Sequence, residues 1–384
     1  MKPVETAVVV FGDRFMPAGA IQDAARAIEA SGAADYLHLC DQLNNFIPPS
    51  LWTTENTPMA SALPDIDSPV DAFIAAAWAA AVAPNLQIVV STDSIRRGPS
   101  ELIQSMLTLA NMTEGRAMFQ IGGGEQKQCR QFGHKRVQGL KRMEDLFKIF
   151  HAYWDTDGPI DYEGNHTTLK QAYLGGAKPY KPKLWGLGGG PTLLDLATTY
   201  CDGFAAAAPC VWATPEEAGE RIAELKRDLE SKGRDPDAFG FGIFCPVLLH
   251  EDADRLDAAL DNPLVRWMTA TYGRITPTDW RKIGIEPPVP DDWAYFTKMV
   301  PYHETPEFID SVLAKSTRQV AENGLFYGTP TEVAATFQRY VDAGVNWVLP
   351  VDYMPLMLSP EEAPDALGRS IELCATLKGA IVTA

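Results

Sequence analysis

Apolar residues in this chain come in short continuous runs, and each run is followed by a segment with helical spacing. Thr6–Gly12, Tyr36–Asp41, Leu86–Val90, Ala117–Gly122, Leu184–Gly188, Gly203–Ala208, Phe239–His250 and Trp347–Val351 have the length and unbroken hydrophobicity of strands covered on both faces. Between or after them, Pro17–Ala30, Pro69–Ala83, Glu101–Met112, Arg136–Trp154, Thr192–Tyr200, Pro215–Lys232 and Glu361–Lys378 repeat apolar positions every three to four residues. Eight strands alternating with helices predict an α/β fold, a (β/α)8 TIM barrel occupying 1–384 as one domain. An open doubly wound sheet obeys the same alternation and is the runner-up.

Three stretches exceed the minimal repeat: about 44–68 after the second strand, 155–182 after the fourth and 251–325 after the seventh. The first carries Pro48, Pro49, Pro58 and Pro64 and has no clear period. The second has turn residues between short β-like runs, which predicts a hairpin. The third contains helical segments over Leu256–Tyr272 and Thr305–Glu322. Loops of this length in a compact domain are commonly lids or binding loops. Their aromatic residues (Trp52, Trp267, Trp280, Trp293, Tyr295, Phe296) suggest either an apolar pocket or the packing of the insertions themselves.

Charge narrows the partners. A formal net charge of −17 repels nucleic acid and anionic membrane surfaces. No run approaches the ~20 apolar residues of a membrane-spanning helix. The six cysteines form no CxxC pair and read as reduced thiols, which points to the cytoplasm. The six histidines show no HExxH or HxH spacing, so no metal site is expected. His38 lies inside a strand and reads as a core histidine.

In a barrel, chemistry gathers at the carboxyl ends of the strands. Asp41 and Gln42 end the second strand; Arg96 and Arg97 follow the third. Gly123, Gly124 and Glu125 end the fourth, and Gly188, Gly189, Gly190 and Thr192 follow the fifth. Glu125 is either an acid/base group or a surface carboxylate before a helix. Asp41 is a ligand acceptor or a loop-start cap. The arginines suit an anion or pair with surface acids. GLGGGPT lacks the dinucleotide spacing, yet glycine-rich backbone at a helix start suits a phosphate; the alternative is a tight turn.

The stretches CDQLNNFIPPS, STDSIRRGPSELIQSMLTL, IGGGEQ, KRMEDLFKIFHAYW, GGGPTLLDLATTYCDGF and YGTPTEVAATFQRYVDAGVNWVL resemble the luciferase-like flavin and deazaflavin oxidoreductases, nearest to the branch using coenzyme F420. The resemblance implies hydride transfer between the deazaflavin and a ketone, secondary alcohol or activated double bond of an organic, apolar substrate, either a small molecule or lipid-like; a homodimer is a further expectation. FMN with monooxygenase chemistry, or F420 binding without catalysis, are the alternatives. It further implies that Asp41 contacts the ring, and that Gly123 and Gly124 line it with Glu125 as the site carboxylate. Val90, Ser91 and Thr92 would hold a non-proline cis peptide behind the ring, and Gly188–Thr192 part of the phosphate-bearing tail. Gln42 stands where the F420 branch usually has histidine, and Phe46 where it has tryptophan. Phe46 and Trp52 are the expected substrate-pocket residues.

Overall fold

The computed structural model describes residues 3–379. Eight parallel strands close into a barrel: β1 Glu5–Val9, β2 Tyr36–Cys40, β3 Gln87–Asp93, β4 Ala117–Gly122, β5 Lys183–Leu187, β6 Gly203–Ala207, β7 Gly240–Leu249 and β8 Trp347–Asp352. Each pairs with the next in chain order, and β8 returns to β1 through Glu5↔Trp347 and Thr6↔Val348. The barrel helices are α1 Ala20–Ser31, α2 Ala72–Ala80, α3 Pro99–Met112, α4 Gly139–Asp155, α5 Pro191–Tyr200, α6 Pro215–Ser231, α7 Pro330–Asp342 and α8 Asp365–Leu377. Proline at the start of α3, α5, α6 and α7 supplies a fixed φ where no backbone N–H is needed.

The alternation of side chains along each strand divides the core in two. One set, including Leu39, Ile88, Val90, Phe119 and Ile121, meets the helices. The other, Ala7, Tyr36, Val89, Met118, Trp185, Ala205, Trp347 and Leu349, fills the barrel. The Trp185 and Trp347 indoles are the largest side chains there, and Trp185 sits against glycine. A Cβ added at Gly203 or Gly240 would lie 2.3 or 2.1 Å from its ring, so these strands carry glycine to admit it.

The insertions form a second body of core over the carboxyl ends. Trp52 and Met59 from the loop after β2 pack with Trp267, Met268, Trp280 and Trp293 of the insertion after β7. Trp267 Nε1 donates to Phe46 O at 2.9 Å, and Asn262 Nδ2 donates to Asn56 O at 2.7 Å, joining the two insertions. The four tryptophans are at most 7% exposed. They are spent on this roof's own packing rather than on a pocket wall. The insertion after β4 contains the expected hairpin, Ile160–Glu163 with Thr168–Ala172.

Several expectations change. Leu256–Tyr272 is two helices, Ala253–Asp261 and Pro263–Tyr272, because Pro263 has no N–H to continue the ladder and Asn262 caps the second. Thr305–Glu322 likewise splits into Pro306–Lys315 and Arg318–Gly324. α7, with a capping box between Thr329 and Glu332, had no counterpart in the sequence reading. Nor did Phe326–Gly328, which pairs outside the barrel with the overhanging end of β7. No cis bond lies between Val90 and Thr92. Instead β3 continues to Asp93 in unbroken register with β4, through Ser91↔Gln120, Thr92↔Ile121 and Asp93↔Gly122. Among the described residues no helix is long and apolar enough to cross a membrane.

Candidate active site

Strands β2 and β4 end in loops that meet at one buried ammonium. Lys127 lies in the short helix Gln126–Cys129 just after Glu125, and its side chain is 1% exposed. Its Nζ donates to Asn44 O at 2.8 Å and to Gln42 Oε1 at 3.4 Å, and it lies 3.3 Å from Glu125 Oε2. The Phe46 ring covers it at 4.0 Å, a cation–π contact. Burial lowers the Lys127 pKa, with Glu125 opposing the shift. Next to it Gln128 clamps the same loop: Oε1 accepts from Leu43 N at 2.7 Å and Nε2 donates to Asn44 O at 2.8 Å. Gln42, Phe46 and Glu125, expected on separate grounds, are thus one cluster organised by a lysine the sequence reading did not single out. A lysine between two glutamines reads as a surface charge, and only the tertiary contact reveals otherwise.

Asp41 faces a different set of groups. Thr92 Oγ1 donates to its Oδ2 at 2.6 Å, and Arg96 Nη2 and Arg97 Nε lie 3.1 and 3.4 Å from the same oxygen. Arg96 also pairs with Asp93 and donates to the Asp41 carbonyl. Arg97 reaches Asp71 at 2.8 Å. The two arginines are consumed by protein carboxylates, which removes them as a free anion cradle. Ser91 neighbours Gln120 in the β3–β4 register, whereas Val90 faces the helix layer and so does not line the mouth.

The glycines shape the wall beside Glu125. Gly124 has φ +79°, and a Cβ there would lie 2.7 Å from Ile95 Cδ1. Gly123 is crossed by α4: a Cβ on Gly139 would sit 1.8 Å from the Gly123 carbonyl oxygen. β5 continues the wall, pairing Gly122↔Leu187 and ending there, just before Gly188, whose φ is +148°. Gly189 and the exposed Gly190 lead into α5, with Pro191 and Thr192 in its exposed first turn.

Arg136 stands over this wall. Its guanidinium is 5.3 Å from the Phe296 ring, its Nε is buried without a partner, and burial lowers its pKa. Phe46 also meets Tyr272 at 4.9 Å between centroids, and Tyr272 meets Tyr295 at 6.2 Å, so the roof presents an aromatic edge above the cluster. Trp52 lies deeper, with Nε1 donating to Leu63 O at 2.6 Å. His38 is buried with its pKa lowered to about 3 by desolvation, a neutral core residue. A cavity of about 800 Å³ opens at the opposite end of the barrel beside Glu5, Tyr36, Lys183 and Trp185. It lies at the amino ends of the strands, where barrels do not place chemistry.

The family model described as luciferase-like monooxygenase matches residues 16–346. This chain belongs to that family. It is an enzyme family, and the barrel mouth is where the cluster lies. Among its relatives is the phthiodiolone/phenolphthiodiolone dimycocerosates ketoreductase of Mycobacterium kansasii, 27% identical over 88% of this chain and 92% of that protein. The F420-dependent glucose-6-phosphate dehydrogenase of Kineococcus radiotolerans is 24% identical over 70% of this chain and 72% of its own length. Among solved structures, an F420-dependent secondary alcohol dehydrogenase in complex with an F420–acetone adduct superposes with a TM-score of 0.70. It is 18% identical, over 98% of this chain and 99% of that one, a likeness of fold.

Proposed function

We propose that this chain is an F420-dependent oxidoreductase acting on a ketone, secondary alcohol or activated double bond of an organic, largely apolar substrate. The observation that carries the reading is the Gln42–Lys127–Glu125 cluster at the carboxyl ends of β2 and β4, beside a wall of glycine backbone. The names of the ketoreductase and dehydrogenase relatives support the same chemistry.

The residues present fit such a cofactor. Gly123 and Gly124 let the backbone beside Glu125 pack closely against Leu140 and Ile95, which sets the position of the wall a flat ring would lie on. Gly188–Thr192 lead into the amino end of a ten-residue helix, a favourable place for an anionic tail. Arg136, with its unpartnered Nε, is a cation left free for an anionic ligand in an acidic protein. When bound, the deazaflavin supplies the hydride chemistry.

The chain's own residues do the rest. Glu125, whose side chain is 27% exposed, is the group able to give or take the substrate proton at the mouth. Gln42 cannot exchange a proton near neutrality, so it orients by hydrogen bonding. Phe46, Tyr272 and Phe296 border the mouth and exclude water from an apolar substrate. Asp41 holds the rim of β2 against β3 through Thr92 and Arg96.

The second reading is an FMN-dependent monooxygenase, favoured by the family's own description. Anaerobic turnover separates the two. Reduced F420 mixed with the protein and a panel of ketones and enones should be oxidised without oxygen. Oxygen uptake with reduced FMN, and no F420 oxidation under any condition, would replace the first reading with the second.

A further inference from the structure

The Lys127 ammonium is almost fully enclosed, yet it touches both polar residues of the proposed site. An ammonium has three N–H donors and no acceptor. Its partners here are Asn44 O, Glu125 Oε2 and Gln42 Oε1, at 2.8, 3.3 and 3.4 Å. A donor-only partner settles the orientation of the Gln42 amide. The oxygen turns to Lys127, and the NH2 group is the end left for the barrel mouth. Charged groups face Lys127 from three loops: Glu125 after β4, Arg96 after β3 and Asp67 after β2. The Phe46 ring closes the remaining side.

Resting on the F420 reading, we propose that Lys127 is a positioning residue that makes Gln42 a charge-backed hydrogen-bond donor. The amide N–H makes the contact, and the ammonium behind it supplies the positive field. The pair thereby does what a protonated histidine does with one side chain. As hydride adds to a carbonyl carbon, the C=O electron pair moves onto the oxygen. A fixed donor with positive charge behind it stabilises that oxygen in a water-poor site. The proton that completes the alcohol comes through Glu125, not through Gln42.

The pairing makes two measurable statements. The first needs no cofactor. In Gln42→His the new imidazole faces the ammonium, which disfavours its protonated form. Nitrogen-15 NMR titration of the full chain should show this imidazole titrating higher, by on the order of one pH unit, in Gln42→His/Lys127→Met than in Gln42→His alone. Identical titration in both would overturn the coupling. The second is a kinetic cycle. With Gln42 present, Lys127→Met should lower kcat about 10²-fold with little change in F420 affinity, and Lys127→Arg should retain most of the rate. In the Gln42→His background the same change should cost under about tenfold, because the imidazole brings its own charge. An equal loss in both backgrounds would make Lys127 a structural staple and sink the proposal. Running the cycle in parallel with Lys127→Gln, which keeps a polar chain in the slot, preserves the comparison if the methionine variant folds poorly. Failure of the unaltered chain to bind F420 would remove the functional reading, while the NMR titration still decides the coupling.

Discussion

At the scale of single residues, the proposed site divides its labour between a carboxylate, an amide and an ammonium. Glu125 is the half-buried member and Lys127 the enclosed one, 3.3 Å apart. Replacing the carboxylate by an amide of the same shape keeps the packing and removes the proton. Glu125→Gln is therefore expected to lower kcat by ~10²–10⁴-fold while leaving cofactor affinity within a few-fold. Steady-state rates beside a fluorescence titration of F420 check this, and a near-normal rate would move proton transfer to another group. The residue scale is also where the sequence was least legible. Asp41 and the Arg96–Arg97 pair look like ligand groups in a string of letters. Folded, they neutralise one another across β2 and β3, with Asp93 and Asp71 taking the remaining guanidinium contacts.

Among elements, periodicity carried most of the fold. All eight barrel strands lie within a few residues of where continuous apolar runs place them, because a strand covered on both faces needs such a run. The failures were in the insertions, where period gives no warning of a break at Pro263, and at α7, whose capping signals Thr329, Pro330 and Glu332 were present but not used. The hairpin after β4 offers an element-scale test. The fully buried Asp145 of α4 accepts from Asn165 N and His166 N at 2.9 and 2.7 Å and from Tyr162 Oη at 3.0 Å, fixing the hairpin to the barrel. Burial alone would raise its pKa, but these hydrogen bonds outweigh it and hold the group below the usual aspartate value. A lowered folded-state pKa contributes stability that is present above the unfolded value and lost as pH falls through the folded one. Asp145→Ala should thus cost at least about 2 kcal/mol at pH 7. The gap from the unaltered chain should narrow as pH falls below about 4 in urea melts. A pH-independent gap would contradict the assignment.

For the molecule as a whole, the barrel is the base and the two long insertions are a single roof with its own aromatic core. The acid at the carboxyl end of β8 reports on that enclosure. Asp352 is buried, and desolvation raises its pKa to about 7, although Leu249 N and Met354 N donate to Oδ1. Its Oδ2 has no partner. A folded-state pKa above the unfolded value means that the folded protein holds the proton longer, so stability declines as pH rises from about 4 to 7. Asp352→Asn keeps the acceptor and removes the charge. It should leave stability near pH 4 little changed and raise it by at least about 1 kcal/mol at pH 8, as read by thermal or urea unfolding. Lower stability at pH 8 would mean that the carboxylate is satisfied there.

The proposed function requires a barrel mouth that takes a deazaflavin. Equilibrium titration of the purified chain with F420 and, separately, with FMN tests it most directly, through quenching or shift of each cofactor's fluorescence. F420 should bind saturably at a concentration at least about tenfold below that needed for FMN, a difference of about 1.4 kcal/mol in binding free energy. Arg136→Ala should weaken the F420 signal, because Arg136 is the unpaired cation over the glycine wall. Tight binding of FMN with no measurable binding of F420 would contradict it.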